Sequence, residues 1–145
     1  MAEPKVLGPQ DGLTVDVFGN TITFKAIAGA FSLAEGTFPA GGFAPLPHIH
    51  HGEDESFYII DGLFDVRVGD ETVHAEPGTY IFVPRGTVHG FTNVGDRAGR
   101  LLFMHSPTYV DFFVEIDKLT KAGPPDPATI TALMRRFNMD VVAPA

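Results

Sequence analysis

Cysteine and tryptophan are missing from this chain altogether, and lysine and arginine together number only ten against eighteen aspartates and glutamates. Each scarcity closes off a class of answer. Without thiols there is no disulfide and no thiolate metal site, so a bound metal has to be held by nitrogen and oxygen donors. A formal net charge of −8 leaves no basic surface to neutralise phosphates, which argues against nucleic acid and against an anionic membrane as partners. No stretch approaches the roughly 18 consecutive apolar residues of a membrane span. Met1 to Gln10 holds Glu3, Lys5 and two prolines but no apolar targeting core, so the chain reads as soluble and cytoplasmic.

Apolar bulk, by contrast, is plentiful. At 145 residues, 44% hydrophobic and with thirteen phenylalanines, the chain suits one domain over residues 1–145 with one core and an apolar cavity inside it. Short β-rich runs alternate with turn signals. Leu13 to Phe18 and Thr21 to Ile27 flank Gly19-Asn20, Phe31 to Phe38 follows Gly29, and Ser56 to Ile60 and Leu63 to Val68 flank Asp61-Gly62. Thr72 to His74 returns across Gly69-Asp70, and Tyr80 to Val83, Val88 to Asn93 and Leu101 to His105 continue the series. Such hairpin signals in succession predict an all-β fold of about ten strands, too many for an open sheet in so short a chain, over residues 13–106.

Residues 110–145 change character. After Pro124-Pro125, Asp126 and Pro127 can start a helix that places Ile130, Leu133, Met134 and Phe137 on one face, with Asn138 at its end. This helical tail is expected to pack its apolar stripe on the outside of the barrel. The segment Tyr109 to Lys118 reads either as a lid over one barrel end or as a packing helix.

Chemistry concentrates in two short stretches. A strand periodicity of two turns His48 and His50 to one face, so two imidazoles converge. Glu55 can enter the same site after the polar turn His51 to Asp54, and His89 can supply a further nitrogen after the turn set by Pro84 and Gly86. Three His and one Glu then surround one divalent ion. His51 should face away from His48 and His50, while His105 is an alternative donor should Glu55 be displaced by the crowding of Glu53 and Asp54. His74 reads as a surface or satisfied core residue.

These stretches resemble the cupin family, whose motifs are G-x5-H-x-H-x4-E-x6-G and G-x5-P-x-G-x2-H-x3-N. Gly42, His48, His50, Glu55 and Gly62 fill the first, and Gly78, Pro84, Gly86, His89 and Asn93 the second. The resemblance implies a single jelly-roll barrel or sandwich with a metal in its mouth or interior.

The same fold hosts enzymes, isomerases, storage proteins and regulators, so function has to come from the site. Parity makes Phe57 and Phe91 candidate pocket walls beside the metal, followed by Phe43, Met104 and His105. The length, the run from His48 to Tyr58 and the helical tail resemble small aromatic polyketide cyclases of the resistomycin type. That resemblance implies a zinc ion acting as a Lewis acid in aldol closure of a poly-β-ketone during antibiotic biosynthesis, with His48, His50 and His89 as catalytic ligands. The sequence is similar as well to flavonol dioxygenases of the quercetinase kind, in which iron, manganese, nickel or copper would bring a flavonol or enediol to dioxygen. A third reading is a ligand-binding cupin without catalysis. An acyl carrier protein is a possible substrate donor, although two acidic proteins gain no electrostatic attraction. An open N-terminal edge strand predicts a homodimer.

Overall fold

The computed structural model describes residues 3–142; the expected domain limits at 1 and 145 lie outside them. Ten strands run in the order β1 (Leu13–Val17), β2 (Asn20–Ile27), β3 (Ser32–Phe38), β4 (His48–His50), β5 (Asp54–Asp61), β6 (Phe64–Val68), β7 (Glu71–Ala75), β8 (Tyr80–Val83), β9 (His89–Asn93) and β10 (Gly99–Ser106). Helices α1 (Val110–Ala122) and α2 (Pro127–Arg136) and a strand β11 (Met139–Val141) follow. The strands form two sheets, β1-β2-β3-β10-β5-β8 and β11-β4-β9-β6-β7, with every pairing antiparallel. This is the expected all-β sandwich with a helical segment. No helix among the described residues is long and apolar enough to cross a membrane.

Alternation drives the two layers together. In β10, Leu101, Phe103 and His105 are buried while Arg100 and Met104 are exposed. In β3 the inward set is Ser32, Ala34, Gly36 and Phe38. Between the sheets Phe57, Ile59, Phe64, Val66 and Leu101 are at most 1% exposed. Gly62, in the β5–β6 turn, illustrates why the turns need glycine. Its φ is +89°, and a Cβ there would stand 2.8 Å from the Gly99 Cα, so the position excludes side chains twice over.

The tail departs from expectation in two ways. Asp126 does precede α2, whose first residue is Pro127, but its side chain caps no backbone N–H and instead accepts a hydrogen bond from the Thr129 hydroxyl. More consequentially, the apolar stripe does not lie on the outside. Phe112, Phe113, Ile116, Ile130, Leu133 and Met134 join the same buried core as the strands, and β11 extends the second sheet by pairing Met139 with His50 and Val141 with His48. Asn138, at φ 59°, makes the left-handed turn between α2 and β11 as a residue just past a helix end should.

The β1 edge is partly covered by the same chain. Its outward N–H groups at Asp16 and neighbouring Phe18 are taken by side chains of α1, Asp117 Oδ1 at 2.8 Å and Thr120 Oγ1 at 3.0 Å. A helix of the same chain thus occupies these two N–H groups of the edge.

Candidate metal centre

Strand register brings the motif residues to one point from both sheets. His48 of β4 pairs directly with His89 of β9, and Glu55 of β5 pairs with His105 of β10. The β8–β9 turn is tied to β4 by Gly86 N–H donating to the His50 carbonyl at 2.8 Å; at φ +85° Gly86 occupies the left-handed region that glycine tolerates best. Asn93 fixes the far end of β9 through Nδ2–H bonds to the carbonyls of Phe38 and Arg97, both at 2.9 Å. The sequence motif thus consists of ligand candidates and of the residues that hold their strands in register.

Four imidazoles and one carboxylate are buried together. Exposure is 9% for His48, 2% for His50, 6% for Glu55, 2% for His89 and 1% for His105. Glu55 Oε2 lies 2.8 Å from His89 Nε2 and 3.2 Å from His50 Nε2, and Oε1 lies 3.0 Å from His105 Nε2. The donor atoms of His48, His50 and His89 fall within 4.8 Å of one another, as do those of His50, Glu55 and His105.

The hydrogen bonds behind the rings show which nitrogen faces the centre. His48 Nδ1 contacts the Leu46 carbonyl at 2.8 Å and His89 Nδ1 the Thr87 carbonyl at 3.0 Å. A carbonyl only accepts, so each Nδ1 carries the proton and each Nε2 of a neutral ring presents a lone pair. A lone pair 2.8 Å from a carboxylate oxygen, as at His89 and Glu55, is unfavourable unless a proton or metal cation lies between. Both nitrogens of His50 and of His105 are buried without a hydrogen bond of acceptable geometry. Orphaned nitrogen donors converging on a carboxylate fit a divalent ion with nitrogen and oxygen preference.

Burial and the two carboxylates set the protonation of the ion-free cluster. Burial, then repulsion from His89 and His50, presses His48 down to about 3, and burial likewise lowers His105. For His50 burial acts the same way, but the carboxylates of Glu53 and Glu55 outweigh it and raise the ring to about 9. Burial alone would keep Glu55 protonated; His105, His50 and His89 instead hold it well below the usual carboxylate range. A buried carboxylate of this kind demands a positive charge beside it.

The cluster opens onto an internal cavity of about 80 Å³ whose lining includes His48, Glu55 and His89. Phe43, Phe57 and Phe91 are among its walls, as are Phe38, Phe103 and Tyr109. The tail contributes Phe112, Phe113, Ile116, Ile130, Met134 and Met139, so Tyr109 to Lys118 forms part of the wall. Tyr109 packs edge-on against His105 and His50, with ring centroids 4.2 and 5.0 Å away, and burial followed by the charges of Glu55 and Glu53 keeps its hydroxyl protonated well above the normal range.

Met104 is a correction. It points out of β10 and is 37% exposed, because its neighbours Phe103 and His105 take the inward positions. His105 faces inward to Glu55 and is not among the cavity walls. His51 faces away, its Nε2 2.9 Å from Asp140 Oδ2, and His74 lies at the surface against Asp65. Phe103 was detectable from its parity with His105. The α2 and β11 walls carried no such signal, since their contact with the barrel is non-local.

Residues 34–105 match a family model described as Cupin domain. Over 68 residues, 47% of this chain and 46% of the relative, the chain is 37% identical to the tetracenomycin polyketide synthase protein TcmJ of Streptomyces glaucescens. It is 32% identical over 60 residues, 41% of this chain and 39% of the relative, to the polyketide synthase CurC of Streptomyces cyaneus. The chain spans about half the length of the curated relatives it matches. Among solved structures, KdgF from Halomonas sp. superposes with a TM-score of 0.69 at 22% identity, covering 75% of this chain and 98% of that one. The polyketide cyclase RemF from Streptomyces resistomycificus gives 0.62 at 23%, covering 73% and 81%. At such identities the structural likeness concerns the fold.

Proposed function

Residues 34–105 are a cupin domain, and from that premise we propose that the protein is a metal-dependent aromatic polyketide cyclase whose ion is held by His48, His50, Glu55 and His89. The observation that carries the proposal is the opening of a buried imidazole–carboxylate cluster onto a cavity walled almost wholly by apolar side chains. Relatives bearing polyketide synthase names support the substrate class.

A divalent ion in this set, zinc in our reading, supplies Lewis-acid polarisation of a ketone oxygen. The protein's share is orientation and exclusion of water. His48 and His89, fixed by their backbone carbonyl partners, keep both Nε2 atoms aimed at one place. Phe57, Phe91 and Phe103 on the strands and Phe112 and Phe113 on α1 line the same cavity, an aromatic lining that favours flat apolar substrates and restricts how a flexible chain folds before ring closure. Tyr109, kept neutral, is a hydrogen-bond donor in that wall. A cavity of about 80 Å³ has room for only a few water molecules, so a multi-ring substrate enters with movement of wall side chains.

The test is elemental analysis of protein purified without added metal or chelator, combined with turnover assays on a poly-β-ketone and on a flavonol. Zinc and a cyclised aromatic product support the cyclase. A redox-active metal with dioxygen uptake on the flavonol replaces it with a dioxygenase, and an ion with no turnover of either substrate leaves a ligand-binding cupin.

A further inference from the structure

We infer that Glu53 is a positioning residue of the metal centre, its carboxylate receiving the Nδ1–H of His50 and thereby aiming that ring's Nε2 at Glu55. The inference rests on the metal-centre reading above. It starts from an asymmetry among the three motif histidines. His48 and His89 each spend Nδ1 on the carbonyl two residues earlier in the chain. His50 has no such carbonyl partner, and its Nδ1 lies instead 3.6 Å from Glu53 Oε2.

Both atoms of this pair are buried, and neither makes any hydrogen bond among the described residues. A buried imidazole nitrogen and a buried carboxylate oxygen without other partners are each costly, and they satisfy one another on closing by less than 1 Å to the roughly 2.8 Å of a charge-assisted hydrogen bond. The Glu53 side chain is only 12% exposed, and its turn has little freedom to carry it outward. On one side His51 N–H is bound to the Asn138 carbonyl at 3.1 Å. On the other, Asp54 Oδ1 accepts Arg85 N–H at 2.9 Å and Nε–H at 3.2 Å.

Charge gives a second reason. Glu55 alone leaves a buried dication with one uncompensated positive charge, whereas Glu53 placed behind a ligating imidazole brings the cluster to neutrality. A carboxylate behind a ligating histidine fixes its tautomer and raises its basicity, and loss of such a partner typically lowers metal affinity by about 10–100-fold.

The experiment strips the purified protein of metal, checks folding by circular dichroism, and titrates Zn²⁺ in competition with a chromophoric chelator. Co²⁺ absorption provides a second readout of ligand geometry. Glu53→Gln, close in size and uncharged, is expected to weaken Zn²⁺ binding by about 10–100-fold and to alter the Co²⁺ spectrum, while Glu71→Gln, which removes an equal charge from an exposed site on β7, changes neither. Glu53→Asp, which keeps the charge on a shorter arm, should recover part of the affinity. Glu53→Gln binding within twofold of the parent with an unchanged Co²⁺ spectrum overturns the positioning role and leaves the metal centre standing. A parent protein that binds neither ion removes the centre itself, and this inference with it.

Discussion

At His89, Nε2 and the Glu55 carboxylate meet at 2.8 Å, a contact that a proton or, in the metal-bound protein, a divalent ion between them makes favourable. His89→Ala should therefore lower affinity for a divalent ion by more than the roughly 10–100-fold expected for losing an outer partner, and turnover should disappear with the ion. Turnover that persists after the metal is gone rules out both enzymatic readings. Gly62 carries a different kind of necessity. Gly62→Ala places a methyl against Gly99 at a φ of +89°, which should cost about 1–3 kcal/mol from backbone strain alone, visible as a lower midpoint in urea without a change in metal stoichiometry. That these residues, as well as the ligand candidates, stood out in the sequence follows from their rigid spacing. Parity on a strand determines that His48 and His50 share a face, whereas the side of His105 depended on how far β10 runs past it. Met104 was misplaced for the same reason: adjacent strand residues cannot both face inward, and β10 continues to Ser106.

Strands β1 to β10 were legible because several of the turns between them announce themselves through Gly-Asn, Asp-Gly and Gly-Asp pairs, and their alternation is local information. The tail was half legible. The periodicity of α2 and its Pro127 start are local, but its destination is set by contacts with residues far away in sequence. β11 is only three residues long and exists because β4 offers an edge. The cover over β1 was equally invisible, since Asp117 and Thr120 lie 101 and 102 residues beyond the N–H groups they bind. That cover predicts a measurable effect. Asp117→Ala with Thr120→Ala frees the Asp16 and Phe18 N–H groups, removing two hydrogen bonds worth about 0.5–1.5 kcal/mol each. The double variant should lose stability by that order and show concentration-dependent association in size-exclusion chromatography with light scattering. Unchanged stability and an unchanged elution profile would mean that the edge needs no helix to protect it.

The metal candidates do not sit on one sheet. His48, His50 and His89 come from β4 and β9 of the five-stranded sheet, while Glu55 and His105 come from β5 and β10 of the six-stranded one. An ion bound among them joins the two layers of the sandwich at the end where β11 and the helices also close over the core. Because such a site is assembled only in the folded chain, binding adds directly to folding stability. With free Zn²⁺ at a thousand times the dissociation constant, the gain is about 4 kcal/mol, and for a chain of this length that corresponds to a melting temperature higher by about 8–16 °C. Differential scanning calorimetry before and after chelation, followed by restoration with Zn²⁺, measures it. A shift of that size, reversed on adding metal back, is expected if the ion links both sheets. A melting temperature indifferent to chelator, in protein shown by elemental analysis to have lost its metal, would instead mean that protons shared between Glu55 and the imidazoles already balance the buried charge and that the sandwich closes without an ion.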